Sequence, residues 1–131
     1  MENFLIQNSV TCLECGETLV SQHVHDYKTC SCPQATMVDG GNEYGRYGGK
    51  DLDKVQTNYI YSDAPFEQLR EVITRGSRGR DGKQPLTYIK LKDIDDEYLD
   101  ALIDYEQELR PNNRYLPFYK QEKEFRDGKD L

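Results

Sequence analysis

Four cysteines stand in two close pairs, Cys12-x-x-Cys15-Gly16 and Cys30-Ser31-Cys32, and the chain has no fifth. Thiolates at such spacing chelate a soft dication. The two-residue gap lets both sulfurs of the first pair face one ion, and the glycine that follows permits a tight backbone turn. The one-residue gap of the second pair chelates if its turn brings both sulfurs inward. Between Cys15 and Cys30 lies enough chain for a hairpin that returns one pair to the other. The reading is one structural zinc ion held by Cys12, Cys15, Cys30 and Cys32. Disulfides are the competing reading, which a reducing compartment disfavours. Incidental buried thiols are another, which the pairwise spacing disfavours.

His23 and His25 are the only histidines, and they fall between the two pairs. On a strand, residues two apart share a side. Both are expected to flank the metal and hydrogen-bond to its ligands from behind, with Asp26 beside them. A mixed site, one imidazole replacing one thiolate, is the alternative. His25-Asp26 also has the make-up of a general-base couple. A metal-dependent hydrolase using His23, His25, Asp26 and Asp39 is the enzyme reading. Four thiolates would close the metal to water, so the chain is expected not to be an enzyme.

A second motif is cationic. Arg75-Gly-Ser-Arg78-Gly-Arg80-Asp-Gly-Lys83 mixes four cations with three glycines. Glycine lets a backbone approach an anion, and arginine offers a planar fork that matches phosphate. With Arg46, these residues are candidates for contact with a partner or an anion. The phosphate-loop pattern G-x-x-x-x-G-K-[ST] is not met. A flexible, solvated connector is the plain alternative.

The chain that must position these groups is 131 residues long, 36% hydrophobic and 31% charged, with no Trp and ten Tyr. So lean an interior gains from a metal staple. Net charge is −7 but segregated. Residues 1–65 carry nine acids and four bases, residues 66–92 three and seven, and residues 93–131 twelve and six. The acidic total argues against wholesale wrapping of nucleic acid, while the basic middle keeps a local anionic contact open. No apolar run reaches the roughly 20 residues of a membrane span. The start, MENFLIQNSV, lacks the features of a secretory signal. A cytoplasmic protein that meets no membrane is expected.

Residues 8–47 read as a small β-rich, zinc-ribbon-like lobe, with strands at 17–25 and 34–39 and glycines at 40–49 marking turns. Residues 54–126 read as an α+β segment, which could share one domain with the first. In it, 54–61 alternates as a strand. A helix follows, capped by Ser62 or Asp63, with Phe66, Leu69, Val72 and Ile73 as its apolar stripe, and ends by Gly76. The basic loop spans 76–85, and 86–91 is a short strand. A helix from about 95 to 109 is capped by Asp93 or Asp95 and carries Leu99, Leu102, Ile103 and Leu109 at helical spacing. A last helix, about 115–126, offers Leu116, Phe118, Tyr119 and Phe125. The fold class is α+β.

The ordered string Cys12-x-x-Cys15, Ser21-x-His23-x-His25-Asp26-Tyr27, Cys30-x-Cys32, Val38-Asp39-Gly40-Gly41 and Tyr44-x-Arg46 resembles small zinc-binding proteins encoded by bacteriophages. The latter half, RGSRGRDGKQPLTYIKL then IDDEYLDALIDYE, looks like a segment that often follows it. The likeness runs from about residue 8 to 126. It departs at Pro33-Gln34, where glycine is common. It implies zinc, a phage origin and the cytoplasm of an infected bacterium, and it carries over no catalytic residue. The function expected is a binding or inhibitory module toward a host protein or host nucleic-acid machinery. The alternative is a zinc-ribbon protein that binds nucleic acid or a nucleotide through residues 75–83.

Overall fold

The structure, a computed structural model, describes residues 3–79 and 81–128. It is a mixed α+β chain that falls into two compact units, residues 1–69 and 70–131.

The first unit is built around β1 (Leu5–Cys12). This strand is buried along nearly its whole length because both its edges are taken. β2 (Thr18–Ser21) pairs antiparallel on one edge, Asn8 opposite Ser21 and Thr11 opposite Thr18. β6 (Val55–Thr57) and β7 (Ile60–Tyr61) share the other edge. A second sheet runs in the order β3 (Lys28–Thr29), β4 (Met37–Asp39), β5 (Arg46–Gly48). The core cluster is small: Val10, Cys12, Leu19, Cys30 and Val38, with Cys32, Val55 and Tyr59 packed against it. Two of its five buried members are thus cysteines.

The second unit pairs a hairpin with helices. α1 (Phe66–Val72) runs across the division between the units and leads into β8 (Thr74–Ser77), which pairs antiparallel with β9 (Thr87–Lys90). α2 (Asp96–Leu109) packs on α3 (Leu116–Arg126). Asp95 caps α2 by accepting the Tyr98 amide, and Pro117 sits in the first turn of α3, where its missing N–H costs nothing.

Several expected elements differ. The strand at 17–25 stops at Ser21, because Asp26 accepts the Gln22 amide and its carbonyl accepts the Ser21 hydroxyl, closing a turn. The strand at 34–39 starts only at Met37, since Ala35 turns with φ +53°. The single strand at 54–61 is two, interrupted where Asn58 bonds Ser9 and Thr11 of β1. The helix expected to reach Gly76 ends at Val72, and Gly76 and Ser77 belong to β8 rather than to the loop. Ser62 does not cap that helix; its hydroxyl accepts the Phe4 amide and donates to Asn3. On α2, Leu109 is exposed and Glu106 is buried in its stead. On α3 the buried residues are Leu116, Tyr119 and Glu122.

Candidate metal centre

Each cysteine pair sits in a turn between strands. Cys12 ends β1, and the chain reverses so that the Gly16 amide donates to the Cys12 carbonyl and the Cys12 amide to the Glu17 carbonyl. Gly16 holds φ +79°, the left-handed region that a side chain disfavours. Cys30 and Cys32 lie in the turn between β3 and β4, where the Ala35 amide donates to the Cys32 carbonyl. Ala35 takes the left-handed position that glycine would suit. Gln34 is free to do something else. Its buried amide clamps Asp51 twice, through the Asp51 carbonyl at 2.7 Å and the Asp51 amide at 3.0 Å.

The four sulfurs all lie within 4.8 Å of one another. Cys12 Sγ is 3.7 Å from Cys32 Sγ, and Cys30 Sγ is 3.6 Å from Cys32 Sγ. A disulfide needs about 2.05 Å, so these thiols are free. Four sulfurs at about 2.3 Å from a tetrahedral ion lie about 3.8 Å apart along each edge, and the observed spacings are close to that. The cluster can hold one metal ion.

Its surroundings suit thiolates. The Thr36 hydroxyl is fully buried and meets no partner in strict hydrogen-bond geometry. A looser contact with the Cys12 sulfur is the main reason that thiol is lowered to about 6, the Cys15 and Glu14 amides adding to it. Burial pushes Cys32 the other way, up to about 12, with the neighbouring thiols contributing. A bound dication would neutralise thiolates here, and the buried Thr36 hydroxyl would then have a charged acceptor beside it. Thr36 was not legible as part of the site, since a threonine just ahead of a strand carries no signal of its own.

The histidines stand elsewhere than on a strand. His23 and His25 are exposed in the turn after β2, and His25 is left-handed at φ +64°. His25 Nδ1 is 3.1 Å from the Tyr44 hydroxyl, and His23 Nδ1 is 3.0 Å from the Val24 carbonyl. Asp26 serves the turn and lies 3.5 Å from the Lys28 ammonium. The metal-ligand cluster among the described residues consists of the four cysteines. The Val38-Asp39-Gly40-Gly41 motif is scaffold around this turn. Val38 is in the core, and Gly41 packs so closely that an added Cβ would lie 2.3 Å from the His23 carbonyl carbon. Buried Asn8 donates to the carbonyls of Asp39 and Gly41.

The cationic candidates are scattered. Arg46 binds buried Asp39 at 2.9 Å. Arg75 is in β8, partly buried, and reaches Glu106 of α2 at 3.4 Å. Arg78 and Lys83 are exposed in the hairpin loop. Arg80 lies outside the described residues.

A family model described as a domain of unknown function, DUF7695, matches residues 4–49. No curated protein and no solved structure matches the chain. The match spans β1 to β5 and both cysteine pairs, so the segment similar to that family is the one that builds the metal centre.

Proposed function

We propose that the chain is a zinc-ordered protein-binding module, with one structural zinc ion held by Cys12, Cys15, Cys30 and Cys32. The observation that carries this reading is the four-thiol cluster, whose sulfur spacing fits a closed tetrahedron. Soft thiolates in that geometry favour zinc. When bound, such an ion supplies no chemistry beyond holding the two turns together, because its four positions are filled. Water has no place on it, and His23 and His25 lie on the turn surface. Function then belongs to exposed side chains.

A protein partner is favoured by what is exposed. Tyr27, Tyr44 and Tyr47 are solvent-facing on the first unit, as are Leu13 and Leu52. Tyrosine is enriched in protein interfaces. Most described cations are committed internally: Arg46 to Asp39, Lys54 to Glu14, Arg75 to Glu106, Lys92 to Glu71 and Lys123 to Asp100. The resemblance to phage-encoded zinc proteins supports a host protein in an infected bacterium as the partner. The nucleic-acid reading keeps one support, the exposed Arg78 and Lys83 of the hairpin loop.

Elemental analysis of reduced, folded protein is expected to give one zinc per chain. Cys30→Ser is expected to lose it, while His23→Ala and His25→Ala keep it. Folded protein without metal would end the zinc reading. Loss of metal in either histidine variant would replace the four-thiolate site by a mixed one.

A further inference from the structure

In the β8–β9 hairpin, Arg75 lies opposite Ile89 and Ser77 opposite Thr87. Directly opposed residues put their side chains on one face of a sheet. That face meets α2. At one end the Arg75–Glu106 ion pair pins hairpin to helix. Towards the hairpin tip the two leave a groove of about 510 Å³. Ile89, Tyr98 and Ala101 give it an apolar floor, with Ser77 and Gly79 on one wall and Asp95 and Glu97 at the other. That volume is in the range that holds a ligand or one or two large side chains.

The charges of α2 divide by direction. Asp96 and Asp100 are neutralised at home, by Arg126 at 2.9 Å and Lys123 at 2.5 Å from α3. Glu97, Asp104 and Glu108 are exposed; Glu97 and Glu108 form no ion pair among the described residues, and Asp104 adds only a longer-range attraction to Lys123 beside Asp100. With Ala101, they recur at four-, three- and four-residue intervals, so they form one stripe along the side of the helix that borders the groove. Like charges at such spacing weaken a helix slightly.

We infer that this groove docks a cationic peptide segment of a partner protein, one apolar side chain entering between Ile89, Tyr98 and Ala101 while flanking Lys or Arg residues lie along Glu97, Asp104 and Glu108. The inference deepens the protein-binding reading and rests on it. A polyanion is repelled by the same stripe.

The test uses zinc-loaded, full-length, isotope-labelled protein and a synthetic peptide with leucine and lysine at helical spacing. One control peptide has serine for leucine, and another has glutamate for lysine. Amide shifts are expected at residues 77–79, 89 and 95–108, from the leucine–lysine peptide alone. Ala101→Arg, at an exposed helical position, is expected to weaken binding at least about tenfold by filling the groove with a like charge. Glu97→Gln with Asp104→Asn and Glu108→Gln is expected to flatten the salt dependence. Equal binding of the serine control, shifts centred elsewhere, or an indifferent Ala101→Arg would overturn the proposal. So would the same shifts appearing when the protein alone is concentrated, because the occupant would then be a second copy. Zinc content is measured in the same samples. Peptide binding lost with zinc retained counts against the groove alone, and zinc lost with peptide binding retained counts against the metal centre alone.

Discussion

The two units solve the same stability problem by opposite means. The first has many short strands, a five-residue buried cluster and four converging thiols. The second buries Leu99, Leu102, Ile103, Leu116 and Tyr119 on two packed helices, and among them two carboxylates, Glu106 and Glu122, with no exposure at all. Glu122 takes two hydrogen bonds from Arg70, each 2.8 Å, and one of 2.6 Å from Arg126. Arg126 goes on to Asp96 and to the carbonyls of Leu91 and Lys92, and Arg70 lies over the Phe125 ring. One unit thus gathers four sulfurs that could hold a cation. The other carries its cations in the chain. A short apolar inventory can be supplemented by charge if every buried charge is paired; the two units differ in where the positive partner comes from.

The largest effect that would sharpen this contrast is metal removal. Binding of zinc to thiolate sites is worth about 10–16 kcal/mol at neutral pH in small zinc-folded peptides, a large term beside a small core. A strong chelator, or Cys12→Ser, is expected to collapse the amide dispersion of residues 3–62 while the helical circular dichroism of α2 and α3 persists. Loss of both signals together would show that the units do not divide the work in this way.

The second unit has its own point of failure. Glu122→Ala leaves Arg70 and Arg126 without their shared partner, and breaking a buried pair in this way costs about 3–5 kcal/mol. Urea unfolding followed by helical signal should register a loss of that order with zinc content unchanged. The pH dependence has a definite sign. Burial pushes the Glu122 carboxyl up, but the hydrogen bonds from Arg70 and Arg126 outweigh it and hold it below the ordinary range. A depressed folded pKa contributes stability that is present above the unfolded value of about 4.3 and is lost as pH falls through the folded one. Acid should therefore weaken the helices below about pH 4 through this carboxylate. A Glu122→Gln variant whose stability falls as steeply over the same range would dissociate that loss from Glu122.

The smallest effect separates conformation from contact. Gly16 has φ +79°, yet an added Cβ would meet nothing within 4 Å. Gly16→Ala should then cost only the left-handed backbone penalty, about 1–2 kcal/mol, with the metal retained. A loss of zinc would mean that the turn itself, and not only its backbone angle, sets the ligand geometry.

Sequence alone pointed to the cysteine cluster and the fold class. Cysteine pairs are local: a short gap and a following glycine constrain where sulfurs can point, whatever the rest of the chain does. The span of α2 was equally legible, and its cap was narrowed to Asp93 or Asp95, of which the structure selects Asp95, because helical periodicity and capping act within a few residues. Only the tertiary structure decided the rest. His23 and His25 lie on a turn because Asp26 and Ser21 close it, and residues 54–61 split because Asn58 bonds back to β1. Arg75 reads as a free cation in a glycine-rich run, yet β9 pairing puts it into a strand facing Glu106. Glu106 and Glu122 occupy positions where a period of 3.6 expects apolar residues; Arg75 and Arg70 reach them from 31 and 52 residues away, while Arg126 reaches Glu122 from one turn on. A buried carboxylate is stable only beside a particular cation. The arrival of Arg70 and Arg75 is fixed by packing between distant elements, and no spacing along the chain encodes that; only Arg126, four residues from Glu122, stands at a helical spacing.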